Sequence, residues 1–282
     1  MNILKANGQL EPFDEHKFRR SLRHAHISKE FHDQVVTSVT QSLYEGIPTR
    51  EIYKHVYDFL NGNFPMGSCT YNLKQAIMEL GPSGYPFERY VGKLLERQGY
   101  QVRVGQMIRG TCVAHEIDVL AEKDHEHFMV ECKFHNERGL KSDVKVALYV
   151  WARYQDILQS WLAKEPEEEK EKLHQAWLVT NTKFSEDALQ YGQCVGMKMV
   201  GWSYPEKGNL QELIEKTCLH PITSLSSLGT SQKQYLLSQD VVIATDLETR
   251  QDVVENLHLP SETLTALHKE LEMLKTCVLR EE

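Results

Sequence analysis

Apolar and polar residues alternate twice in close succession between His115 and Phe134, in the stretch HEIDVLAEKDHEHFMVECKF. Alternation with a period of two sends side chains i and i+2 to one face of a strand. The pattern therefore predicts two strands, Glu116 to Ala121 and Phe128 to Lys133, joined by a turn rich in Asp, Glu, His and Lys. On this spacing Glu131 and Lys133 project together while Cys132 points the other way. If the strands pair as a hairpin, Asp118 lies beside Glu131.

The rest of the chain is read around this stretch. Residues 2–14 predict a β-hairpin turning at Asn7-Gly8, and Asp14 caps a helix running to His26. Phe31, Val35, Val36, Val39 and Leu43 have helical spacing and predict a second helix ending near Gly46. A third follows Ile47-Pro48-Thr49 with Ile52, Val56, Phe59 and Leu60 on one face, and Met66 to Leu80 gives a fourth. GPSGYP at 81–86 punctuates the chain as a domain boundary. An amphipathic helix from Phe87 to Gly99 carries Glu88 in its first turn, where the helix dipole favours an anion. Tyr100 to Met107 reads as a strand before the Gly110 turn. Residues 142–163 form a long helix whose aromatics, Tyr149, Trp151, Tyr154 and Trp161, read as core, and KEPEEEKEK at 164–172 reads as a solvated loop or helix start. AWLVTNT (176–182) is a buried strand, SEDALQYGQCVG a helix capped by Ser185, and MKMVGW another strand. Links this short between strand, helix and strand imply a parallel crossover. From Cys218 the chain is helical and acidic. The expected fold class is multi-domain α/β: a mainly helical first domain with a β-hairpin (1–80), a mixed sheet flanked by helices (84–218), and a small helical tail (219–282).

A chain of 282 residues has room for about two domains and a substantial core. Its net charge of −8 is unevenly spread. Residues 1–80 hold nine basic and nine acidic residues, and 221–282 hold five and ten. No part is basic, so unspecific nucleic-acid binding through charge alone is not supported. The six cysteines show neither a C-x-x-C pair nor zinc spacing with histidine, and read as reduced thiols of a cytoplasmic protein. No apolar run reaches membrane-spanning length and the start lacks a signal pattern, so no membrane partner is expected.

Two carboxylates and an ammonium in one patch are costly to bury unless a divalent cation neutralises them. A hard cation, magnesium or manganese, takes oxygen ligands, here Asp118, Glu131 and the backbone carbonyl of Cys132. A metal so held lowers the pKa of a bound water and polarises a phosphodiester oxygen, and Lys133 then orients that water or stabilises charge developing at phosphorus. An edge hairpin with a surface Glu and Lys is the plain alternative. Asp124, Glu126, His125 and His127 sit in a turn pointing different ways and are not read as a metal cluster. His115 and Glu116 read as local polar neighbours.

Residues 1–80 resemble an ATP-cone, the small nucleotide-binding domain that regulates ribonucleotide reductases and their repressor. The match rests on ILKANGQLEPFDEHKF followed by IPTREIY. By that resemblance Lys5 and Lys17 meet the phosphates of ATP or dATP, Glu11, Phe13, Asp14 and Phe18 line base and ribose, and Thr49, Ile52 and Tyr53 close the pocket. Ala6 stands where the family carries a second basic residue. A tight hairpin beside a helix N-terminus supplies amide donors for phosphate in any case. Residues 84–204 resemble the restriction-endonuclease-like core of the PD-(D/E)xK superfamily and, within it, the Mrr-type nucleases, through GYPFERYVGKLLERQGYQV, HEIDVLA, MVECKF and WLVTNTKFSEDALQYG. The resemblance implies an active site of Glu88, Asp118, Glu131 and Lys133. The stretch LSSLGTSQKQYLLSQDVVIATDL is similar to a helix-hairpin-helix unit, with Gln239-Asp240-Val241 in place of its glycines, and is read as a degenerate version used for packing or dimer contacts. The expectation is a metal-dependent DNA endonuclease controlled by ATP or dATP, acting in defence against foreign DNA and at least dimeric where both strands are cut. A nucleotide-sensing DNA-binding regulator without cleavage and an RNA nuclease are the alternatives.

Overall fold

The computed structural model describes residues 1–5, 8–24, 27, 29–63, 71–163 and 173–278. The predicted features at Asn7, at His26, at 66–70 and at 164–172 lie outside the described residues.

In the first domain β1 (Asn2–Leu4) pairs antiparallel with β2 (Leu10–Pro12) and parallel with β3 (Ile47–Pro48). Gly8 has φ +81°, a conformation only glycine adopts freely, and Lys5 and Gln9 close the hairpin by a backbone bond. Two helices, α1 (Glu15–His24) and α2 (Lys29–Ser42), separate β2 from β3, and α3 (Thr49–Asn63) follows β3. Their apolar faces bury Leu22, Val35, Val39, Val56 and Leu60 against Ile3 and Ile47. The second helix stops at Ser42, short of the predicted Gly46, because the chain must turn there to bring β3 alongside β1.

The predicted fourth helix is α4 (Leu73–Met78) within the described residues, and it packs Leu73 and Ile77 with the core of the sheet domain although it precedes the expected boundary at 81–86; α5 (Tyr85–Arg97) follows. The latter starts two residues before the predicted Phe87, since Pro86 fits the first helical turn, where its missing N–H costs nothing. Then come β4 (Gln101–Arg109), β5 (Ala114–Lys123) and β6 (Glu126–Lys133), which form an antiparallel meander. The β5–β6 hairpin is longer than its apolar alternation suggested. Its turn is only Asp124 and His125, both at positive φ as a tight two-residue hairpin requires. Next are β7 (Lys141–Ser142), α6 (Val144–Leu162), β8 (Leu173–Thr180), β9 (Lys183–Phe184), α7 (Glu186–Val195) and β10 (Lys198–Val200). The five-stranded sheet has the order β10-β8-β6-β5-β4, with β6, β8 and β10 parallel, so the predicted crossover is present. Ser142, predicted as helical, lies instead in β7 beside β9, and Asp143 caps α6 by accepting from the Val146 N–H.

One face of the sheet packs on α5, through Phe87, Tyr90, Val91 and Leu94 against Val119, Val130 and Cys132. The other packs on α6 and α7, through Ala147, Val150, Tyr154 and Ile157 against Leu120, Met129 and Leu178. The core on the α5 side continues into the C-terminal part. That part holds α8 (Leu210–Thr217), a 3-10 turn at Ile222–Ser224, α9 (Thr230–Ser238), a second at Ala244–Glu248, α10 (Gln251–Glu255) and α11 (Ser261–Val278). At the expected helix-hairpin-helix corner Asp240 has φ +61°, but Ile243 then bridges Pro221 and a 3-10 turn follows where a second α-helix was expected. Asp240 pairs with Arg89 of α5 at 3.4 Å, tying this corner to the sheet domain. No helix among the described residues is long and apolar enough to cross a membrane.

Candidate active site

The β5–β6 ladder ends at Val119↔Val130, and the next facing positions are Asp118 and Glu131. There the side chain takes over from the backbone: the Cys132 N–H donates to Asp118 Oδ2 at 2.7 Å. A strand residue's N–H and C=O point to the same edge, so the Cys132 carbonyl faces the same gap. Its thiol sits in the core on the α5 side, where burial pushes its pKa up, so Cys132 offers oxygen and not sulfur. Gly105 faces Asp118 on the other side, between the pairs Val104↔Val119 and Gln106↔Ile117, with φ +65°.

Glu131 meets Arg153 of α6, whose Nη1 lies 2.5 Å from Glu131 Oε2. The second arm of the guanidinium donates to the Glu116 carbonyl, and its plane rests on the Tyr149 ring at 5.2 Å. Arg153 is 8% exposed. Sequence reasoning missed it, having read this helix as an aromatic core. The available signal was an arginine amid the buried positions Val150, Tyr154 and Ile157, where an unpaired guanidinium is not tolerated.

Glu88 lies in the first turn of α5, with its Oε1 close to Gly84, where a Cβ would stand 3.2 Å away. Burial first, then the charges of Asp118 and Glu116, push its pKa up to about 7. Burial and then Asp118 push Glu131 up to about 7, against the pull of Arg153. Burial also raises Asp118, opposed by the Cys132 N–H and Arg153. The structure thus brings Glu88, Asp118 and Glu131 into one electrostatic unit. Lys133, two residues along β6 from Glu131, is exposed and near enough to Asp118 to act on it, and forms no ion pair among the described residues.

The donor set fits a hard divalent cation. Asp118 and Glu131 each commit one oxygen to a protein donor and leave the other without a protein hydrogen bond among the described residues. Burial is the first cause that raises both carboxylates, even with Arg153 beside them, and a bound cation would offset it. Among the described residues no group of three His, Cys, Asp or Glu side chains is arranged to hold a metal. The site therefore offers two carboxylates and a carbonyl, the remaining positions falling to water or substrate, as magnesium prefers. His115 belongs elsewhere: its Nε2 lies 2.7 Å from Asp156, which also accepts from the Cys112 and Val113 N–H groups and fixes the β4–β5 turn.

In the first domain Glu11 gathers both expected phosphate lysines, Lys17 at 2.7 Å and Lys5 at 3.2 Å. Asp14 Oδ1 accepts from the Lys17 N–H and caps α1. Phe13 and Phe18 pack at 5.8 Å, with Phe18 and Ile52 inside the core and Thr49 half-buried at the start of α3. Tyr53 faces the second domain: its hydroxyl binds Tyr71 O and Asn72 Oδ1, its ring stacks on Tyr71 at 4.9 Å, and the Arg138 guanidinium lies over it at 5.5 Å.

Family models match the chain in three pieces: the ATP cone domain at residues 1–66, a restriction endonuclease domain at 81–201, and the AF1548-like C-terminal domain at 220–275. An uncharacterised protein of Archaeoglobus fulgidus is 44% identical over 135 residues, covering 48% of this chain and 71% of that protein. The chain belongs to the AF1548-like family. The crystal structure of AF1548, a protein of unknown function, is 33% identical with a TM-score of 0.54, covering 70% of this chain and 98% of that one. This family member is thus an ATP-cone fused to a restriction-endonuclease-like domain and followed by the AF1548-like C-terminal domain.

Proposed function

We propose that the protein is a metal-dependent DNA endonuclease whose phosphodiester hydrolysis is controlled by ATP or dATP on the N-terminal domain. The observation that supports it most is the meeting of Glu88, Asp118, Glu131 and Lys133 at the open end of the β5–β6 ladder, in a domain matching restriction endonucleases. Asp118, Glu131 and the Cys132 carbonyl would hold magnesium or manganese. Bound there, the ion supplies an acidified water and a polarised phosphoryl oxygen. Lys133, exposed beside the carboxylates, orients the attacking water and offsets charge growing on the phosphate. Glu88, raised by burial and by the charges of Asp118 and Glu116 while no cation is bound, would accept a proton from that water. Arg153 keeps Glu131 fixed. Lys5 and Lys17 exchange Glu11 for the nucleotide phosphates. One active site cuts one strand, so a double-strand break requires at least a dimer.

The test is cleavage of plasmid, linear DNA and RNA with magnesium, with manganese and with chelator, each with ATP, with dATP and without nucleotide. DNA cutting that needs the metal and changes with nucleotide is expected. RNA cutting alone would move the substrate, and no cutting would leave a nucleotide-sensing DNA binder. Calorimetry with Lys5→Ala and Lys17→Ala checks the nucleotide site.

A further inference from the structure

The segment between Lys133 and β7, residues 134–140, is fastened at four residues. Asn181 clasps His135, accepting from its N–H at 2.8 Å and donating to its carbonyl at 2.9 Å. Asn136 donates to the Pro82 carbonyl at 3.1 Å, and Phe134 packs on Phe87 at 5.5 Å. Arg138 donates to Gln75 Oε1 of α4 at 2.5 Å and lays its guanidinium over the Tyr53 ring of α3. The same α4 sends Lys74 to the Asn181 carbonyl. One polar assembly therefore joins Tyr53 of α3 and Lys74 and Gln75 of α4 to the segment that leaves β6 just after the E-x-K residues. Thr180 extends it, donating to the Lys133 carbonyl at 2.7 Å.

We propose that Arg138 is a positioning residue that couples nucleotide binding on the N-terminal domain to the catalytic end of β6. The inference rests on the nucleotide-controlled nuclease reading and names its route. Thr49, Ile52 and Tyr53 lie within the first five residues of α3, and a helix moves as a unit, so a ligand that shifts its start shifts Tyr53. The planar guanidinium follows the ring it stacks on. Arg138 bonds Gln75 of α4, the neighbouring Lys74 meets the Asn181 carbonyl, and Asn181 clasps His135 two residues past Lys133, so displacement at Arg138 reaches the end of β6 through this assembly. Two ligands acting on one such element must influence each other reciprocally.

The experiment is hydrogen exchange over residues 134–140, together with cleavage rates, for the full chain with and without ATP or dATP. In the unaltered protein nucleotide changes exchange in this segment and changes cleavage about fivefold or more. Arg138→Ala still binds nucleotide by calorimetry and cuts at its nucleotide-free rate, but both responses drop well below about fivefold, the weak end of such couplings. Gln75→Ala, which removes the hydrogen bond and leaves the stack, retains part of them. The proposal is overturned if nucleotide binds and exchange in 134–140 stays constant, or if Arg138→Ala responds as the unaltered chain does. Absence of nucleotide binding overturns it along with the regulatory half of the proposed function. A nucleotide response in 134–140 without cleavage of any nucleic acid upholds the coupling and rejects the nuclease.

Discussion

Arg153 Nη1 stands 2.5 Å from Glu131 Oε2, and both side chains are largely shut off from water, the side-chain atoms alone being 9% and 17% exposed. A pair so placed is held by geometry more than by net attraction, because removing both charges from water costs nearly as much as their meeting returns. Its role is to fix the carboxylate that the proposed metal would use.

The first prediction concerns that pair. Arg153→Met leaves Glu131 buried without its partner and should cost about 3 kcal/mol of stability in urea unfolding at pH 8. Adding Glu131→Leu should recover most of the loss, since two apolar groups leave no charge stranded. Equal losses in the single and double variants would show that Arg153 is held by Tyr149 and the Glu116 carbonyl instead.

Asp118 separates metal binding from folding. Asp118→Asn keeps an oxygen that accepts from the Cys132 N–H, so the strand end should stay formed. It loses the negative charge, and manganese affinity by calorimetry should fall about tenfold or more, by analogy with changes that touch a metal's supporting groups. An unchanged affinity would remove Asp118 from the metal site.

Lys133 is exposed and unpaired among the described residues, so Lys133→Ala should leave the melting temperature nearly unchanged. Cleavage should nonetheless fall about a hundredfold or more, the usual loss when a group that stabilises developing charge is removed. A variant that cuts as fast as the unaltered chain would show that the proposed site is not the catalytic one.

The difference between Lys133 and Arg153 shows what the sequence makes legible. Glu131, Cys132 and Lys133 follow one another on a strand, so period-two alternation separates their faces without any tertiary knowledge. Asp118 joins them through a hairpin whose register follows from local pattern. Arg153 reaches Glu131 from a separate element 22 positions away, and its helix carries so many apolar residues that the arginine looked incidental. Tyr53 was harder still. Its position in the expected nucleotide pocket is local information, but its contact with Arg138 depends on how two domains meet. The strands β7 and β9 have two residues each, too short to show any period. At the C-terminal corner the chain carries helical residues around Asp240, yet the bridge Pro221↔Ile243 overrides them with an extended segment.

Lys74 supplies a prediction in pH. Its ammonium donates to the Asn181 carbonyl and lies 4.5 Å from the centre of the Trp202 ring. Burial, then the nearby charges of Arg138 and Lys183, bring its pKa down to about 7. In the unfolded chain the same lysine titrates at its ordinary value of 10.5. Between pH 7 and 10.5 the unfolded state therefore binds more protons than the folded state, and stability rises with pH across that window. Below pH 7 both states are protonated and the full cost of the buried charge is present. Lys74→Met should thus stabilise the protein at pH 6 by about 2 kcal/mol, a figure reduced from the full shift to allow for partial solvent contact and the lost bond to Asn181. The gain should shrink as the pH approaches 10. Urea unfolding of both proteins from pH 6 to 10 measures it, and parallel pH profiles would mean that Lys74 reaches water freely in the folded state.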